Sequence, residues 1–348
     1  MSQNSYSVAI IGAGLIGKKR AAALNSTKSC RLLVTIDVDK SASESVAKEF
    51  GGETESDWLK VVNRKEIDIV TVATINKFLA PICISSLRNG KHVLCEKPLG
   101  RNTRESEKII EAATNSKVIL KTGFNHRHHP AIFKAKKLVE SGAIGNIYYI
   151  RCVYGHGGRP GYEKEWRSSK DLCGGGELLD QGVHVVDLFR WFLGELEEVY
   201  GKINTFYWNM KVEDNAFAMF KTKKGQVALM HTSWTQWKNK FLFEVFGEKG
   251  YLIVDGLGGS YGTEKLIIGK RKYKNHEQFL GGPPDEEIIE FPGPDISWTE
   301  EWKELVSAIN ENREPLGSGN DGLMANKLIE AVYQSAKLNK PVKIKQIN

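Results

Sequence analysis

The sequence predicts an α/β protein in two parts. A doubly wound parallel sheet is expected over residues 1–123. An α/β unit whose larger sheet is mainly antiparallel is expected over 124–348. Three observations lead there. Up to about Gly123, short apolar runs alternate with helical segments, and such alternation builds right-handed βαβ units around a parallel sheet. Beyond Gly123, strand-like runs follow one another across short turns, as in antiparallel pairing. The 348-residue length suits about two domains.

The elements follow in order. Val8–Ile11 is an apolar run suited to a buried parallel strand. After a glycine turn comes a helix from Lys18 to Asn25, a strand over Arg31–Ile36 ending at Asp37, and a helix from Ser41 to Phe50 stopped by Gly51-Gly52. Ile67–Ala73 is the next strand. Pro81–Asn89 reads as a helix closed by Gly90, and His92–Cys95 as a strand. Thr103, a good N-cap, opens a helix to Ser116, and Val118–Thr122 is one more strand. A helix over Pro130–Glu140 precedes strands at Ile147–Tyr154, Val199–Thr205, Ala216–Phe220, Val227–Trp234, Phe241–Phe246 and Tyr251–Val254. Lys223-Lys224-Gly225 is a hairpin signal. Gly281–Pro294 reads as a loop carrying a short strand, Glu287–Phe291. Helices over Trp298–Asn310 and Leu323–Leu338 close the chain, the last expected to pack back on the first unit.

Hydrophobic residues make up 41% and charged residues 26%, which excludes a wholly disordered chain. Forty-nine basic against 42 acidic residues give +7, a mild excess compatible with an anionic ligand. The five cysteines form no CxxC pair, which argues against a disulfide framework or structural zinc and for a reducing compartment. Val8–Ile16 is too short to span a bilayer, and Met1–Tyr6 lacks the positive n-region of a signal peptide. The expectation is a cytoplasmic protein that meets neither membrane nor nucleic acid.

Gly12-Ala13-Gly14-Leu15-Ile16-Gly17 follows the first strand and opens a helix, the context a dinucleotide-binding turn requires. Gly12 permits the turn, Gly14 the approach of a pyrophosphate and Gly17 close helix–strand packing, while the helix N-terminus offers free N–H groups. Asp37 stands where a carboxylate holds ribose hydroxyls and repels a 2′-phosphate, which favours NAD over NADP. Lys40 nearby softens that preference.

Two further segments bear chemistry. Cys95-Glu96-Lys97-Pro98 follows a parallel strand, so Lys97 is expected at the crevice beyond the strands' carboxyl ends. Gly174-Gly175-Gly176 is a flexible turn leading into a helix on which Asp180 and His184, four apart, share a face continued by Asp187. A histidine and a carboxylate on an otherwise apolar helix are costly unless paired or used.

Gly12-x-Gly14-x-x-Gly17, Glu96-Lys97-Pro98 and Asp180-x-x-x-His184, with Asn125-His126-Arg127 opening the second part, resemble the Gfo/Idh/MocA oxidoreductases over essentially the whole chain. The resemblance implies a Rossmann domain followed by a substrate-binding and oligomerisation domain with a large open sheet. It implies that Lys97 bonds the reacting hydroxyl, His184 is the general base and Asp180 helps hold substrate, with Pro98 often cis. Such chemistry suits a base of pKa near 6.5 and an ammonium beside a developing alkoxide. Cofactor contacts are expected from Gly12, Gly14, Leu15, Ile16, Gly17, Asp37, Thr74, Asn76, Glu96, Lys97 and Asn125, and from Trp166 and Arg167, which match a pair near the nicotinamide. Ile75 and Phe78 stand where the family often has proline and histidine. Arg127, His156, Arg159 and Tyr162 are candidate substrate residues. The implied reaction is NAD-dependent hydride transfer with a secondary hydroxyl of a sugar, sugar nucleotide, glycoside or cyclitol. A reductase or self-recycling enzyme and a non-catalytic NAD(P)-dependent sensor of the same fold are the alternatives. A homodimer or homotetramer through the second sheet is expected.

Other signals weigh less. His126, His128 and His129 lack a carboxylate or cysteine at ligand spacing, so no metal is expected. Cys173 reads as a structural thiol. Lys270–Lys274 reads as a solvated face. Trp208, Trp234 and Trp237 read as sheet packing or a subunit contact.

Overall fold

The computed structural model describes residues 5–271 and 285–344. Met1–Asn4, most of the 270–274 cation run and the start of the 281–294 loop lie outside them. The first part runs β1 (Tyr6–Ile11), α1 (Leu15–Asn25), β2 (Cys30–Ile36), α2 (Lys40–Phe50), β3 (Glu53–Glu55), α3 (Trp58–Val62), β4 (Ile69–Val72), α4 (Asn76–Arg88), β5 (His92–Cys95), α5 (Thr103–Ser116) and β6 (Leu120–Thr122). Its six strands lie in the order β3-β2-β1-β4-β5-β6, all parallel. The order reverses between β1 and β4, so the crevice for a ligand opens beyond Ile11 and Val72.

After a 3₁₀ turn at Asn125–His128 come α6 (Pro130–Glu140), β7 (Ile147–Gly155), 3₁₀ turns at Tyr162–Lys164 and Trp166–Ser168, α7 (Lys170–Cys173), α8 (Glu177–Asp180) and α9 (Gly182–Leu193). Then follow β8 (Leu196–Asn204), β9 (Asn215–Thr222), β10 (Val227–Ser233), β11 (Lys240–Gly247), β12 (Gly250–Asp255), β13 (Glu264–Lys270), β14 (Glu286–Phe291), α10 (Ser297–Glu311), α11 (Gly319–Leu338) and β15 (Val342–Lys343). The nine-stranded sheet has the order β14-β13-β12-β11-β7-β10-β9-β8-β15. Only β7 and β10 pair in parallel; the other neighbours are antiparallel.

Four differences from the sequence reading have physical causes. The polar edge strand β3 and the short α3 carry too little apolar periodicity to stand out. β13 was missed beside the glycine-rich turns that precede it. Helix α4 begins at Asn76 and contains Pro81 as its sixth residue, so the proline that read as a helix start lies past the first turn and removes one i→i−4 bond inside the helix. The helix expected to carry Asp180 and His184 together is broken at Gln181. The Asp180 carbonyl accepts from Lys97 Nζ at 2.6 Å, and His184 N–H bonds instead to Gln181 O at 3.0 Å.

The two parts share their cores. Trp302 and Leu305 of α10 are fully buried with Val8 and Ile10 of β1, Leu24 of α1 and Leu94 of β5. Helix α11 faces both ways. Ala325, Leu328 and Val332 join the second sheet's core, while Asn326 Nδ2 donates to Leu99 O, Gly100 O and Ser106 Oγ of the first part at 3.1, 3.2 and 2.7 Å. Two buried arginines staple the junction. Arg20 of α1 pairs with Glu96 beyond β5 and with Glu301 of α10. Arg127 grips Asp187 of α9 through two bonds of 2.8 and 2.6 Å and Asp321 of α11 at 3.1 Å. Asp321 also closes a capping box with Ser318.

Removing one partner of a buried pair strands the other charge. Arg127→Ala is therefore expected to destabilise the protein by about 3–5 kcal/mol, while replacing Arg127 and Asp187 together by leucines costs far less. Urea denaturation of the two variants checks this, and equal losses in both would contradict it.

Candidate active site

The glycine turn is built as its spacing requires. Gly12 sits at φ +102°, and a Cβ there would lie 2.4 Å from Ala73 O; one at Gly17 would lie 1.9 Å from Gly12 O. Gly14 is different, because a Cβ there would meet nothing within 4 Å. The space over Gly14 is open, at the start of a helix that has no side-chain cap. Leu15 and Ile16 continue this rim, Leu15 being 75% exposed. An uncapped helix start under open space suits a diphosphate. Asp37 borders it, its Oδ2 accepting from Ala13 N–H at 2.5 Å and its Oδ1 from Asp39 N–H at 3.0 Å. Lys40 is engaged with Glu44 on its own helix at 3.5 Å, so Asp37 sets the charge here. These residues fit a nicotinamide dinucleotide with an unphosphorylated ribose.

Around the crevice, half-buried Thr74 follows β4, and buried Asn76 donates to Cys173 O at 2.8 Å. Asn125 donates to Ser297 Oγ at 3.0 Å and lies 3.2 Å from His126 Nδ1. Trp166 is half-buried under the Arg167 guanidinium, 4.6 Å from its ring. Glu96 departs from expectation: its carboxylate is spent on Arg20, which leaves only its backbone for a cofactor.

Lys97 crosses from the first part to the second. It donates to Asp180 O at 2.6 Å and Oδ1 at 2.9 Å. Arg167 Nε lies 3.4 Å from Asp180 Oδ2. Burial alone pushes the Asp180 carboxyl up, but the charges of Lys97 and Arg167 outweigh it and hold it well below the usual carboxylate range. His184 is 4% exposed. Burial, then the Lys97 charge, depresses its pKa well below the ordinary histidine value, so it is a neutral imidazole at neutral pH. The Lys97–Pro98 peptide is cis.

The triple glycine is tight, not flexible. A Cβ at Gly175 would lie 2.2 Å from Tyr333 Oη, and one at Gly176 2.1 Å from Glu213 O. The Glu213 carboxylate accepts from the Gly176 and Leu178 amides and from the Tyr333 hydroxyl at 3.0, 3.1 and 2.7 Å. On the substrate side, half-buried His156 and buried Tyr162 stand edge to face at 5.8 Å, while Arg159 is paired with Glu165 at 2.7 Å. Arg127 must be withdrawn as a substrate residue, since its three bonds are all to Asp187 and Asp321 and it is 3% exposed. The Cys173 thiol, pushed up to about 11 by burial, donates to Gly175 O at 2.7 Å, as befits a structural role.

The sequence reading weighed His126 and His129 only as metal ligands, without their partners, and passed over Glu177. His126 stacks on His184 with ring centres 3.8 Å apart and planes at 19°; its place between Asn125 and Arg127 was the available signal. His129 Nδ1 meets Glu264 Oε2 at 3.0 Å, a pairing across 135 residues that no local pattern reveals. Glu177 is wholly buried, and its carboxyl is pushed well up by burial with Asp180 adding to it.

Comparison with known proteins fits this geometry. The model of the oxidoreductase family with NAD-binding Rossmann fold, GFO/IDH/MocA, matches residues 6–124, and that of the GFO/IDH/MocA C-terminal domain matches 132–253. The chain is 26% identical over 390 residues to a levoglucosan dehydrogenase of Pseudarthrobacter phenanthrenivorans, covering 99% of each chain. It is 25% identical over 357 residues to a myo-inositol 2-dehydrogenase of Thermotoga maritima, covering 98% of this chain and 99% of that one. A solved structure of levoglucosan dehydrogenase in complex with NADH superposes with a TM-score of 0.88 at 24% identity, over 99% of this chain and 100% of the other. With both domain models matched in order and an NAD-shaped turn in the first, the chain belongs to the Gfo/Idh/MocA family of NAD-dependent oxidoreductases.

Proposed function

We propose that this enzyme transfers a hydride between NAD and a secondary hydroxyl of a sugar, sugar nucleotide, glycoside or cyclitol, with Lys97, Asp180 and His184 carrying the chemistry. The observation that carries the reading is the Lys97–Asp180 contact beside a neutral His184 at the carboxyl ends of the parallel strands. The anhydrosugar and cyclitol in its relatives' names support the substrate class. Bound NAD supplies the hydride acceptor. Lys97 has three ammonium protons. Asp180 takes two through its carbonyl and carboxylate, which aims the third at the substrate oxygen and stabilises the charge that develops there. His184, uncharged, takes the hydroxyl proton. Asp180 stays ionised, so its carboxylate keeps hold of Lys97 Nζ. The convergence of these three groups favours an enzyme over a sensor.

The reading extends to a cytoplasmic setting and to self-association. Five free cysteines, four of them buried, support a reducing compartment, and among the described residues no helix is long and apolar enough to cross a membrane. The outer face of the nine-stranded sheet supports a subunit contact. Phe217, Met219 and Leu229 are 39, 48 and 39% exposed there, beside a Phe217–His231 stack at 4.2 Å and a Tyr149–Phe246 stack at 4.9 Å.

Four outcomes are expected. His184→Ala lowers kcat by about 10²–10⁴-fold and Lys97→Ala by about 10²–10³-fold, with NAD affinity retained by fluorescence titration. A protonated imidazole accepts nothing, so kcat/KM for oxidation holds level through neutral pH and falls only once the pH drops below 6.5, through the depressed pKa of His184. Undiminished turnover in Lys97→Ala would sink the mechanism. Gly14→Val folds, because its Cβ enters open space, yet loses most NAD affinity by calorimetry; unchanged affinity would contradict the cofactor placement. Light scattering gives a dimer or tetramer that Leu229→Glu dissociates, and a monomeric wild type would rule the contact out.

A further inference from the structure

A chain of aromatic rings leads from the catalytic carboxylate to the surface. It begins at His156 and Tyr162, both within electrostatic reach of Asp180. Tyr162 stands 5.6 Å from Trp208, Trp208 5.2 Å from Tyr207, and Tyr207 4.7 Å from Trp237. Tyr162 is 2% exposed, whereas Tyr207 and Trp237 are 62 and 63% exposed. Two glycines hold the chain against the site. A Cβ at Gly158 would lie 2.4 Å from the Trp208 ring, and one at Gly157 3.2 Å from Trp237 Cα. The Gln236 amide bonds to His156 O at 3.2 Å, which ties the Trp237 turn to the segment that carries Tyr162.

Trp237 is the anomaly. Its backbone has φ +53°, a left-handed conformation that disfavours a bulky side chain, and most of its ring is in water. An interior tryptophan offsets such a cost by burial; Trp234, fully buried, is one. Trp237 gains no such compensation from the fold. Its edge-on contact with Tyr207 leaves an exposed aromatic corner at the outer end of the ring chain that starts at Tyr162. A pyranose fits such a corner, with an apolar C–H face to lie on a ring and hydroxyls to meet a phenol and water.

We propose that Tyr207 and Trp237 form an outer subsite that stacks a second sugar ring, so that the preferred substrate is a linked sugar, a glycoside or oligosaccharide, and not a free monosaccharide. This rests on the hydroxyl-oxidising reading above. The reacting ring lies at Lys97 and Asp180, and the ring joined to it extends past Tyr162 to the pair.

The test follows NAD reduction at 340 nm with free hexoses and cyclitols and with the same hexoses as disaccharides and aryl glycosides. The expected result is a KM about tenfold lower for the linked form of a hexose than for the free form, corresponding to about 1.4 kcal/mol. Tyr207→Ala and Trp237→Asn, the latter tolerant of left-handed backbone, remove that advantage and leave kcat and KM for the free hexose and the thermal midpoint unchanged. Free hexoses used as well as their linked forms overturn the subsite while the dehydrogenase reading stands. Equal losses on both forms, or a changed oligomeric state in the variants, overturn it in favour of a structural or subunit contact. Turnover of no sugar or cyclitol in any form overturns the parent reading, and this inference with it.

Discussion

One contact makes two sheets into one site: the Lys97 ammonium held by the carbonyl and carboxylate of Asp180. Lys97 follows a strand of the parallel sheet, and Asp180 ends a helix that packs on the mixed sheet. The contact also shapes the backbone. By claiming the Asp180 carbonyl it removes an acceptor from the helix, and the chain breaks at Gln181 before α9 resumes. His184 thus stands on a separate helical segment, stacked on His126, with a position set by packing and not by the turn that presents Asp180.

The surrounding buried charges serve that geometry. Arg20 and Arg127 are each nearly solvent-free and each bridge three elements. Such pairs add little net stability over apolar packing, but they fix which elements meet. Glu213 does the same from the other side, caging the glycine turn ahead of Asp180. The groups proposed to be catalytic therefore rest on supports that are themselves hydrogen-bonded, as a preorganised site requires.

Much of this was legible in the sequence, for identifiable reasons. Alternating apolar runs and helical segments carry the parallel sheet because each buried strand must be apolar on both faces. The glycine turn and Asp37 are local and keep their spacing. Lys97 stood out by its place just beyond a parallel strand, and Asp180 and His184 because charged groups among apolar neighbours are conspicuous. What was hidden is long-range. Nothing near Arg127 announces Asp187 and Asp321, so a buried structural cation read as a substrate residue. Nothing near Glu96 announces Arg20. The triple glycine read as flexible because a glycine needed for close approach and one needed for motion look alike until Tyr333 and Glu213 are seen against it.

Helix α10 carries a consequence for how the molecule is made. Trp302 and Leu305 complete the apolar core beneath β1 and β5, and Glu301 neutralises Arg20 inside it, yet these residues emerge some 180 positions after the last parallel strand, β6. During synthesis the nucleotide-binding half waits with an open apolar slot, and with Arg20 held by Glu96 alone, until α10 emerges. Birth domain by domain, the usual course for long chains, is closed to it: the nucleotide-binding half is completed only by a helix that follows the strands of the second sheet.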